Sequence, residues 1–311
     1  FGGEIIATHG SESNVKEIYD KVKELEVDPR NAILNQFAEF GNYRFHAAVT
    51  ASAMSELATA LGRQGIGSGK PTVMVSAMGS AGTIAAGDAL KERHGTLIVG
   101  LEPIQCPTLY NVGFGAHRIE GIGDKHVTWV HNVLNMDALM CIDDVDTVRG
   151  MELLEHGGDV LTRDLGIDED QVARFRGVFG MSGVCNVLGA IKAAKFYKLG
   201  ASDLIVTVAT DGYDRYPSVG QWLASTEGPQ TRERALRRVE LFHRAGLDWI
   251  LEGRDARERW HNQKYFSWVE QQGKSVAALE QQRDPGFWKA QRERVGEIGR
   301  ASCRERVCYV V

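Results

Sequence analysis

Short apolar runs alternate with longer amphipathic stretches along the first 220 residues of the chain. Apolar runs bounded by turn residues predict β-strands, whereas a hydrophobic period of three to four residues predicts helices. Strands are predicted over residues 4–7, 32–37, 72–76, 96–102 and 203–209, and helices over residues 13–25, 47–61, 82–93 and 178–199. Because strands and helices alternate, the pattern predicts a parallel sheet covered by helices.

The pattern changes between residues 231 and 295. Arg, Glu, Gln and Trp dominate there, while proline and β-branched residues become rare. This composition is typical of amphipathic helices and predicts an appended helical segment. Its aromatic side chains are expected to pack these helices against the rest of the protein or against a second subunit. They are Trp249, Trp260, Tyr265, Phe266, Trp268 and Trp288.

The overall charge favours a small-molecule site. The chain has 36 Lys and Arg against 41 Asp and Glu, a formal charge of -5, which disfavours nucleic acid or an anionic membrane as the partner. It contains neither a long apolar run nor a hydrophobic signal segment, so a cytoplasmic protein is expected. The five cysteines lack metal-ligand spacing, and we expect reduced thiols and no metal site.

The strongest local signal is a strand that leads through a turn of small residues into a helix. The turn consists of Gly79, Ser80, Ala81, Gly82 and Thr83. Its small residues let several backbone N–H groups converge on an anion, and the helix that follows adds the positive end of its dipole. These features predict a phosphate-binding loop, although a tight strand-to-helix turn explains the same residues equally well.

A dinucleotide-binding fold is a rival interpretation of this loop. In that interpretation Glu102, at the end of the next predicted strand, corresponds to the acid that holds a ribose. The glycine spacing Gly79-x-x-Gly82 does not give the G-x-G-x-x-G fingerprint, which makes this alternative the weaker one.

Several ordered segments resemble the cysteine synthases, a family of fold-type II enzymes that depend on pyridoxal phosphate. The segments are GSAGT (79–83), LIVGLEP (97–103), GAHRIEGIG (115–123), VFGMSGVCNVLGAIKAAK (178–195) and DLIVTVATDGYDRYPS (203–218). Residues 33–57 resemble the family segment that carries a glutamine for the substrate carboxylate. The resemblance covers residues 1–218.

The resemblance implies a role for each matching residue. The loop 79–83 would hold the cofactor phosphate, with Ala81 in place of a family glycine. Gln36 would lie near the substrate carboxylate, or else be a surface amide. Gly180 and Ser182 would approach the cofactor ring, although Gly180 could equally be a turn at a helix start.

The pyridine nitrogen of the cofactor would meet Thr210 or Asp211. The family ordinarily places a neutral hydroxyl there, whereas a carboxylate would keep the nitrogen protonated. Thr210 is the preferred candidate, with Asp211 as a turn or cap residue. His117, His126 and Cys185 are expected to be structural.

The implied fold is that of a fold-type II enzyme with two parallel-sheet α/β domains and a C-terminal helical extension. Residues 1–55 would be the remainder of an incomplete small domain, 56–220 the large cofactor-binding domain and 221–296 the extension. Residues 297–311 resemble a translated sequencing adapter, which suggests an assembly artefact.

The lysine that binds the cofactor covalently would lie before residue 1, so the chain is expected to be an inactive, N-terminally truncated fragment. Five lysines within the chain lie outside any such motif and are expected to be surface charges. They are Lys70, Lys91, Lys125, Lys192 and Lys195.

By resemblance, the whole enzyme would eliminate the β-substituent of an activated serine and add a nucleophile such as sulfide. A small amino-acid substrate and a homodimer are implied. Two alternatives stay open: a threonine or serine ammonia-lyase, and a regulatory homologue that holds the cofactor without turnover.

Overall fold

A computed structural model of the chain describes residues 3–9, 15–294 and 306–310. Within these ranges the strands are β1 Asn31–Asn35, β2 Pro71–Ala77, β3 Leu97–Pro103, β4 Ala138–Ile142, β5 Leu204–Val206, β6 Ile250–Glu252 and β7 Arg306–Val310. The α-helices are α1 Val15–Glu26, α2 Phe40–Phe45, α3 Ala51–Arg63, α4 Ala85–His94, α5 Thr108–Asn111, α6 Asp144–His156, α7 Gly158–Arg163, α8 Glu169–Phe175, α9 Met181–Tyr197, α10 Pro217–Glu227, α11 Arg232–Arg244, α12 Gly253–Lys264, α13 Val276–Gln281 and α14 Pro285–Glu293. π-Helical turns join α2 to α3 and follow α12.

The larger sheet has five strands in the order β5–β2–β3–β4–β6. The pairs β2–β3, β3–β4 and β2–β5 are parallel, and β6 alone runs antiparallel, against β4. The parallel sheet predicted from the alternating pattern is therefore confirmed. Its parallel strands end at one edge, so the loops that follow them meet there.

Helices cover both faces of this sheet, as the buried character of its strands requires. Successive side chains of a strand point to opposite faces. In β2, Val73 and Val75 share a core with Val184 and Leu188 of α9. Met74 belongs to a second core, on the side of α4.

Two predicted strands differ from the structure. Residues 4–7 form no strand, because they have no described strand to pair with; the side chain of Ile5 is 93% exposed. β5 ends at Val206 rather than at residue 209. β4 was not predicted at all, although its apolar sequence ALMCI is completely buried.

The predicted helical extension contains a strand that the sequence did not predict. It does form four α-helices, but β6 lies between α11 and α12 and completes the large sheet. The predicted boundary at residue 220 falls inside α10. This part of the chain is therefore built into the sheet domain rather than only appended to it.

The second sheet pairs β1 with β7 in parallel, with Asn31 opposite Arg306. β1 lies in the region predicted as the remainder of the small domain, whereas β7 lies within the last fifteen residues. Residues 297–305 and 311 lie outside the described residues, and the origin of the last fifteen residues stays a prediction. None of the described helices is long and apolar enough to cross a lipid bilayer.

The C-terminal helices hold residues 127–131, which we call the connecting segment. The indole nitrogen of Trp268 donates a hydrogen bond to the carbonyl of Val127 at 2.7 Å. Lys264 Nζ donates to the carbonyls of Trp129 at 3.1 Å and His131 at 2.6 Å. These contacts connect α12 and the π-helical turn that follows it to the middle of the sheet domain.

Three of the aromatic residues pack as predicted, since Trp260, Trp268 and Trp288 are buried. Tyr265 and Phe266 do not pack against the rest of the chain, because they are 39% and 64% exposed. For these two residues, packing against a second subunit stays a prediction.

Replacement of Trp260 by alanine should lower the free energy of unfolding by about 3–5 kcal/mol. The side chain is fully buried, and its Nε1 donates to the carbonyl of Leu109 at 2.9 Å. Urea unfolding followed by circular dichroism measures the change. Phe266→Ala is the matched control, with an expected loss below about 1 kcal/mol. Equal losses in the two variants would contradict the packing described above.

Candidate functional site

A cavity of about 340 Å³ lies at the edge where the parallel strands end. Its walls come from the loop after β2, the block around residues 120–122, the start of α9 and the chain after β5. The lining residues are Ser76, Ala77, Gly79, Ser80, Ala81, Gly82, Thr83, Glu120, Gly121, Ile122, Ser182, Asn186, Val208, Thr210, Asp211 and Tyr216. Eight of the ten predicted site residues are among them, while Gly180 and Gln36 are not.

The loop 79–83 follows β2 directly and leads into α4. Its carbonyl at Ser80 accepts a hydrogen bond from the Thr128 hydroxyl at 3.1 Å. The Ser80 hydroxyl accepts from Asn42 Nδ2 at 3.0 Å and from the backbone N–H of Gly82 at 3.3 Å. The loop is thus fixed from two sides.

Within the described residues, the backbone N–H groups of Ser80, Ala81 and Thr83 form no hydrogen bond. Three free donors in one short turn, beside the N-terminus of a ten-residue helix, make a concave site for an anion. The geometry is compatible with the phosphate-binding loop, which stays a prediction.

Two glycines of the loop leave no room for a side chain. A Cβ at Gly82 would approach Asn42 Oδ1 to 2.1 Å, and one at Gly79 would approach the carbonyl oxygen of Gly121 to 2.7 Å. Ala81, in contrast, has a φ of 63°, a left-handed conformation that favours glycine. Alanine therefore occupies this position at a conformational cost.

The opposite wall carries a chain of hydroxyl and carboxylate groups. Ser182 Oγ and Thr210 Oγ1 lie 2.6 Å apart. The Thr210 hydroxyl also donates to Asp211 Oδ1 at 3.3 Å, and the Tyr216 hydroxyl donates to Asp211 Oδ2. Burial is the main cause that raises the pKa of Tyr216, and this hydrogen bond raises the pKa further.

Gly180 shapes this wall without lining the cavity. Its N–H donates to the carbonyl of Asp211 at 2.8 Å. A Cβ at Gly180 would meet Asp211 Oδ1 at 2.2 Å, so only glycine fits beside this carboxylate. Gly180 thus lies beside the wall formed by Ser182, Thr210 and Asp211, and its approach to a cofactor ring stays a prediction.

Gln36 stays outside the cavity lining. Its carbonyl accepts a hydrogen bond from Asn42 Nδ2 at 2.9 Å, and through Asn42 it is linked to Ser80. The structure thus assigns to the Gln36 backbone a connection with the loop. Contact of its side chain with a substrate carboxylate stays a prediction.

Asn42 and Asn186 were not predicted from the sequence. Asn186 Oδ1 accepts from the backbone N–H of Ala77 at 2.7 Å, and its Nδ2 donates to the carbonyl of Val208 at 2.8 Å. This side chain joins the ends of β2 and β5. In the sequence, Asn186 could have been recognised as a single amide side chain within an otherwise apolar stretch of α9.

The histidines considered as bases do not line the cavity. His117 Nε2 lies 3.2 Å from the carbonyl of Gly123, and His126 Nε2 lies 3.1 Å from the Tyr19 hydroxyl. Burial lowers the pKa of His126 to about 4. Cys185 is also fully buried, which raises its pKa to about 12. All three residues lie in the structural positions predicted for them.

Glu102 does not support the dinucleotide alternative. It is buried in β3, and its two carboxylate oxygens accept from the backbone N–H groups of Leu109 at 3.0 Å and Tyr110 at 2.8 Å. It is absent from the lining of the cavity. Burial raises its pKa to about 7, although the two hydrogen bonds act to lower the pKa.

One lysine differs from its prediction. Lys192 was expected to be a surface charge, but it is 4% exposed because α9 packs against the sheet on this side. In the part of the chain that the structure describes, no lysine lines the cavity around the loop 79–83.

The fold and the cavity define a class: an α/β protein whose ligand site lies at the carboxyl edge of a parallel sheet. No protein-family model matches the chain. Cysteine synthase B of Campylobacter jejuni is 27% identical over 208 residues, which are 66% of this chain and 59% of that protein. A cysteine synthase of Staphylococcus aureus is 26% identical over 222 residues, which are 70% and 62% of the two chains.

Solved structures agree on the fold. A hydrogen sulfide-producing enzyme from Fusobacterium nucleatum has a TM-score of 0.58 at 21% identity, covering 81% of this chain and 67% of that one. A cysteine synthase from Entamoeba histolytica also gives 0.58, at 22% identity, covering 78% and 63%. The predicted cysteine synthase resemblance and its α/β fold are confirmed. The chain spans about three fifths of the length of the curated relatives it matches.

Replacement of Ala81 by valine should destabilise the protein by at least about 2 kcal/mol, because a β-branched side chain tolerates a left-handed backbone poorly and this position is buried. Ala81→Gly relieves the backbone but loses a buried methyl group, so it should stay within about 1 kcal/mol of the parent. Urea unfolding of both variants checks this order. A valine variant as stable as the glycine variant would refute the strained conformation.

Replacement of Glu102 by glutamine should flatten the dependence of stability on pH. The folded pKa of about 7 exceeds the reference value of 4.5, so the unfolded chain loses this proton first as the pH rises. The contribution of Glu102 to the free energy of unfolding is fully present below pH 4.5 and decreases by up to about 3 kcal/mol towards pH 7.

Urea titrations between pH 5 and pH 7.5 measure the slope of this loss. Glu169→Gln, an exposed position at the start of α8, is the control and should keep the parental slope. The burial argument fails if Glu102→Gln also keeps that slope.

Proposed function

We propose that the whole protein is a pyridoxal-phosphate-dependent enzyme of the cysteine synthase type, which replaces the β-substituent of an activated serine. One observation carries the proposal. In a homologue of cysteine synthases, the free N–H groups of the loop 79–83 face the hydroxyl pair of Ser182 and Thr210 across a single cavity. A phosphate at one end and a ring at the other would match this arrangement.

The residues of the loop fit a phosphate group. Gly79 and Gly82 provide a turn that side chains would obstruct, and the donors of Ser80, Ala81 and Thr83 are unused. Phosphate would accept these hydrogen bonds, and the N-terminus of α4 would favour its charge. The cavity volume of about 340 Å³ suits a small cofactor.

We infer that a hydroxyl rather than a carboxylate faces the pyridine nitrogen. The two oxygens of Asp211 already accept from Thr210 and Tyr216, whereas the Ser182 and Thr210 hydroxyls can rotate. A hydroxyl donor leaves the nitrogen unprotonated. When bound, the cofactor supplies the electron sink that makes departure of the serine β-substituent possible.

The remaining roles belong to the same proposal. Gln36 would anchor the carboxylate of a small amino-acid substrate, and the block around Gly121 would close one side of the cavity. Since no lysine lines the cavity in the described residues, we propose that the lysine base lies in a part of the whole protein outside this sequence. A cytoplasmic homodimer completes the proposal.

The 311-residue chain should bind pyridoxal 5'-phosphate at least about tenfold more tightly than pyridoxal, because only the phosphate reaches the loop donors. Quenching of tryptophan fluorescence measures both affinities. Gly82→Ala should abolish the difference, since its Cβ would displace Asn42 from the loop. Gly200→Ala, where no atom lies within 4 Å of the added Cβ, is the control. Equal affinity for the two compounds would exclude the loop as the phosphate site.

Activity is tested on the product of the complete gene, supplied with O-acetylserine and sulfide. Formation of cysteine supports the proposal. Release of pyruvate that sulfide does not suppress would indicate an ammonia-lyase, and cofactor binding without turnover would indicate a regulatory homologue. Either of the last two results would overturn the cysteine synthase assignment.

A further inference from the structure

A second cavity lies on the side of the large sheet covered by α9 and α11. Its volume is about 640 Å³, against about 340 Å³ for the cavity around the loop 79–83, and the two share no lining residue. Its walls come from the ends of β3 and β4, from α6, α9 and α11, and from residues 245–248. The lining residues are Ile104, Cys141, Ile142, Asp143, Asp146, Leu188, Lys192, Arg237, Glu240, Leu241, Arg244, Ala245, Gly246, Leu247 and Asp248.

The charged groups that α11 contributes to this cavity already have partners. Arg237 contacts Glu233 at 2.6 Å, and Arg244 contacts Glu240 at 3.1 Å, each within its own helix. These are exposed pairs one helical turn apart, and they compensate each other's charge.

The acidic groups at the start of α6 are also engaged. Asp143 accepts from Gln105 Nε2 at 2.9 Å and caps the helix by accepting from the N–H of Asp146 at 3.0 Å. Asp146 in turn pairs with Arg149 at 3.2 Å. Neither carboxylate faces the cavity without a partner.

Lys192 is the exception. It is 4% exposed, yet its ammonium makes one hydrogen bond, to the carbonyl of Cys141 at 3.2 Å. Its nearest carboxylate, Asp248, lies 3.8 Å away and has a side chain that is 74% exposed. An ammonium carries three donors, and a buried charge is costly unless it is paired. The most buried charge of the cavity is thus the least compensated one.

Apolar side chains form another part of the cavity wall. Leu188 lies one turn before Lys192 on α9 and is buried, as is Ile142 at the end of β4. Leu241 and Leu247 complete the apolar part of the wall. A ligand here would therefore need one negative charge for Lys192 and a short apolar body, while Asp143 and Asp146 would disfavour a group of higher charge.

We propose that this cavity binds a small aliphatic monocarboxylate, whose carboxylate pairs with Lys192. The proposal does not depend on the function of the loop 79–83. The carboxylate would take the ammonium donors that Asp248 reaches only at 3.8 Å, and the aliphatic chain would cover Leu188 and Leu241.

The test titrates the full 311-residue chain with 3-methylbutanoate and follows backbone amide signals by NMR. Saturable shifts are expected at residues 188–192 and 241–248, with a dissociation constant of about 10 mM or below. The neutral analogue 3-methylbutanamide and the shorter acetate should each bind at least about tenfold more weakly, because one lacks the charge and the other the apolar body.

Lys192→Met should reduce the affinity for 3-methylbutanoate at least about tenfold. Lys198→Asn, which removes an exposed charge from the end of the same helix, should leave it unchanged. Asp248→Asn keeps a folded protein even where the Lys192 variant does not, since its side chain is largely exposed. It should raise the affinity about threefold by removing the competing carboxylate.

Four results would overturn the proposal. They are no saturable shifts in the parent protein, shifts confined to the loop 79–83, equal binding of the carboxylate and its amide, and unchanged affinity in both Lys192→Met and Asp248→Asn. The opposite response of these two variants, together with the preference for 3-methylbutanoate over its amide and over acetate, establishes it.

Discussion

The ammonium group of Lys264 connects parts of the chain that are far apart in sequence. It is fully buried and donates to the carbonyls of Trp129 and His131 and to Gln282 Oε1, all neutral oxygens. Burial lowers its pKa well below the usual value, and the three acceptors support the charged form against this. The segment it holds carries Thr128, whose hydroxyl fixes Ser80. The conformation of the loop 79–83 therefore depends on helices that lie outside the cysteine synthase resemblance.

The cavity depends equally on the strand order of the sheet. β2 lies between β3 and β5, so the loop 79–83 and the chain after β5 reach the same edge although they are more than a hundred residues apart. Asn186 keeps the two ends together by bonding to both. Small backbone shifts at either strand would change the separation between the loop donors and the hydroxyl pair of Ser182 and Thr210. The site is therefore a property of the sheet rather than of any one loop.

The sequence predicted those parts of the structure that local patterns determine. The alternation of strands and helices and the turn of small residues at 79–83 were recognisable because their physical requirements are local. Gly180 was singled out only by the family resemblance, because the Asp211 carboxylate beside it becomes its neighbour on folding. β6 was missed, since three residues between helices give no periodicity and only pairing with β4 makes them a strand. Asn42 was missed because its partners Gln36 and Ser80 become neighbours only on folding. The burial of Lys192 likewise depends on long-range packing, which a short stretch of sequence does not reveal.

The hydrogen bonds of Lys264 also have a consequence for the time course of folding. Trp129 precedes Lys264 by 135 residues, so during synthesis the connecting segment leaves the ribosome long before its partners exist. Contacts of such sequence separation form late, because the intervening chain must first be ordered. Until then the carbonyl of Trp129 lacks its partners Lys264 and Gln282, and the carbonyl of His131 lacks Lys264. The loop 79–83 of the nascent protein would thus reach its final conformation only when the last helices of the chain have formed.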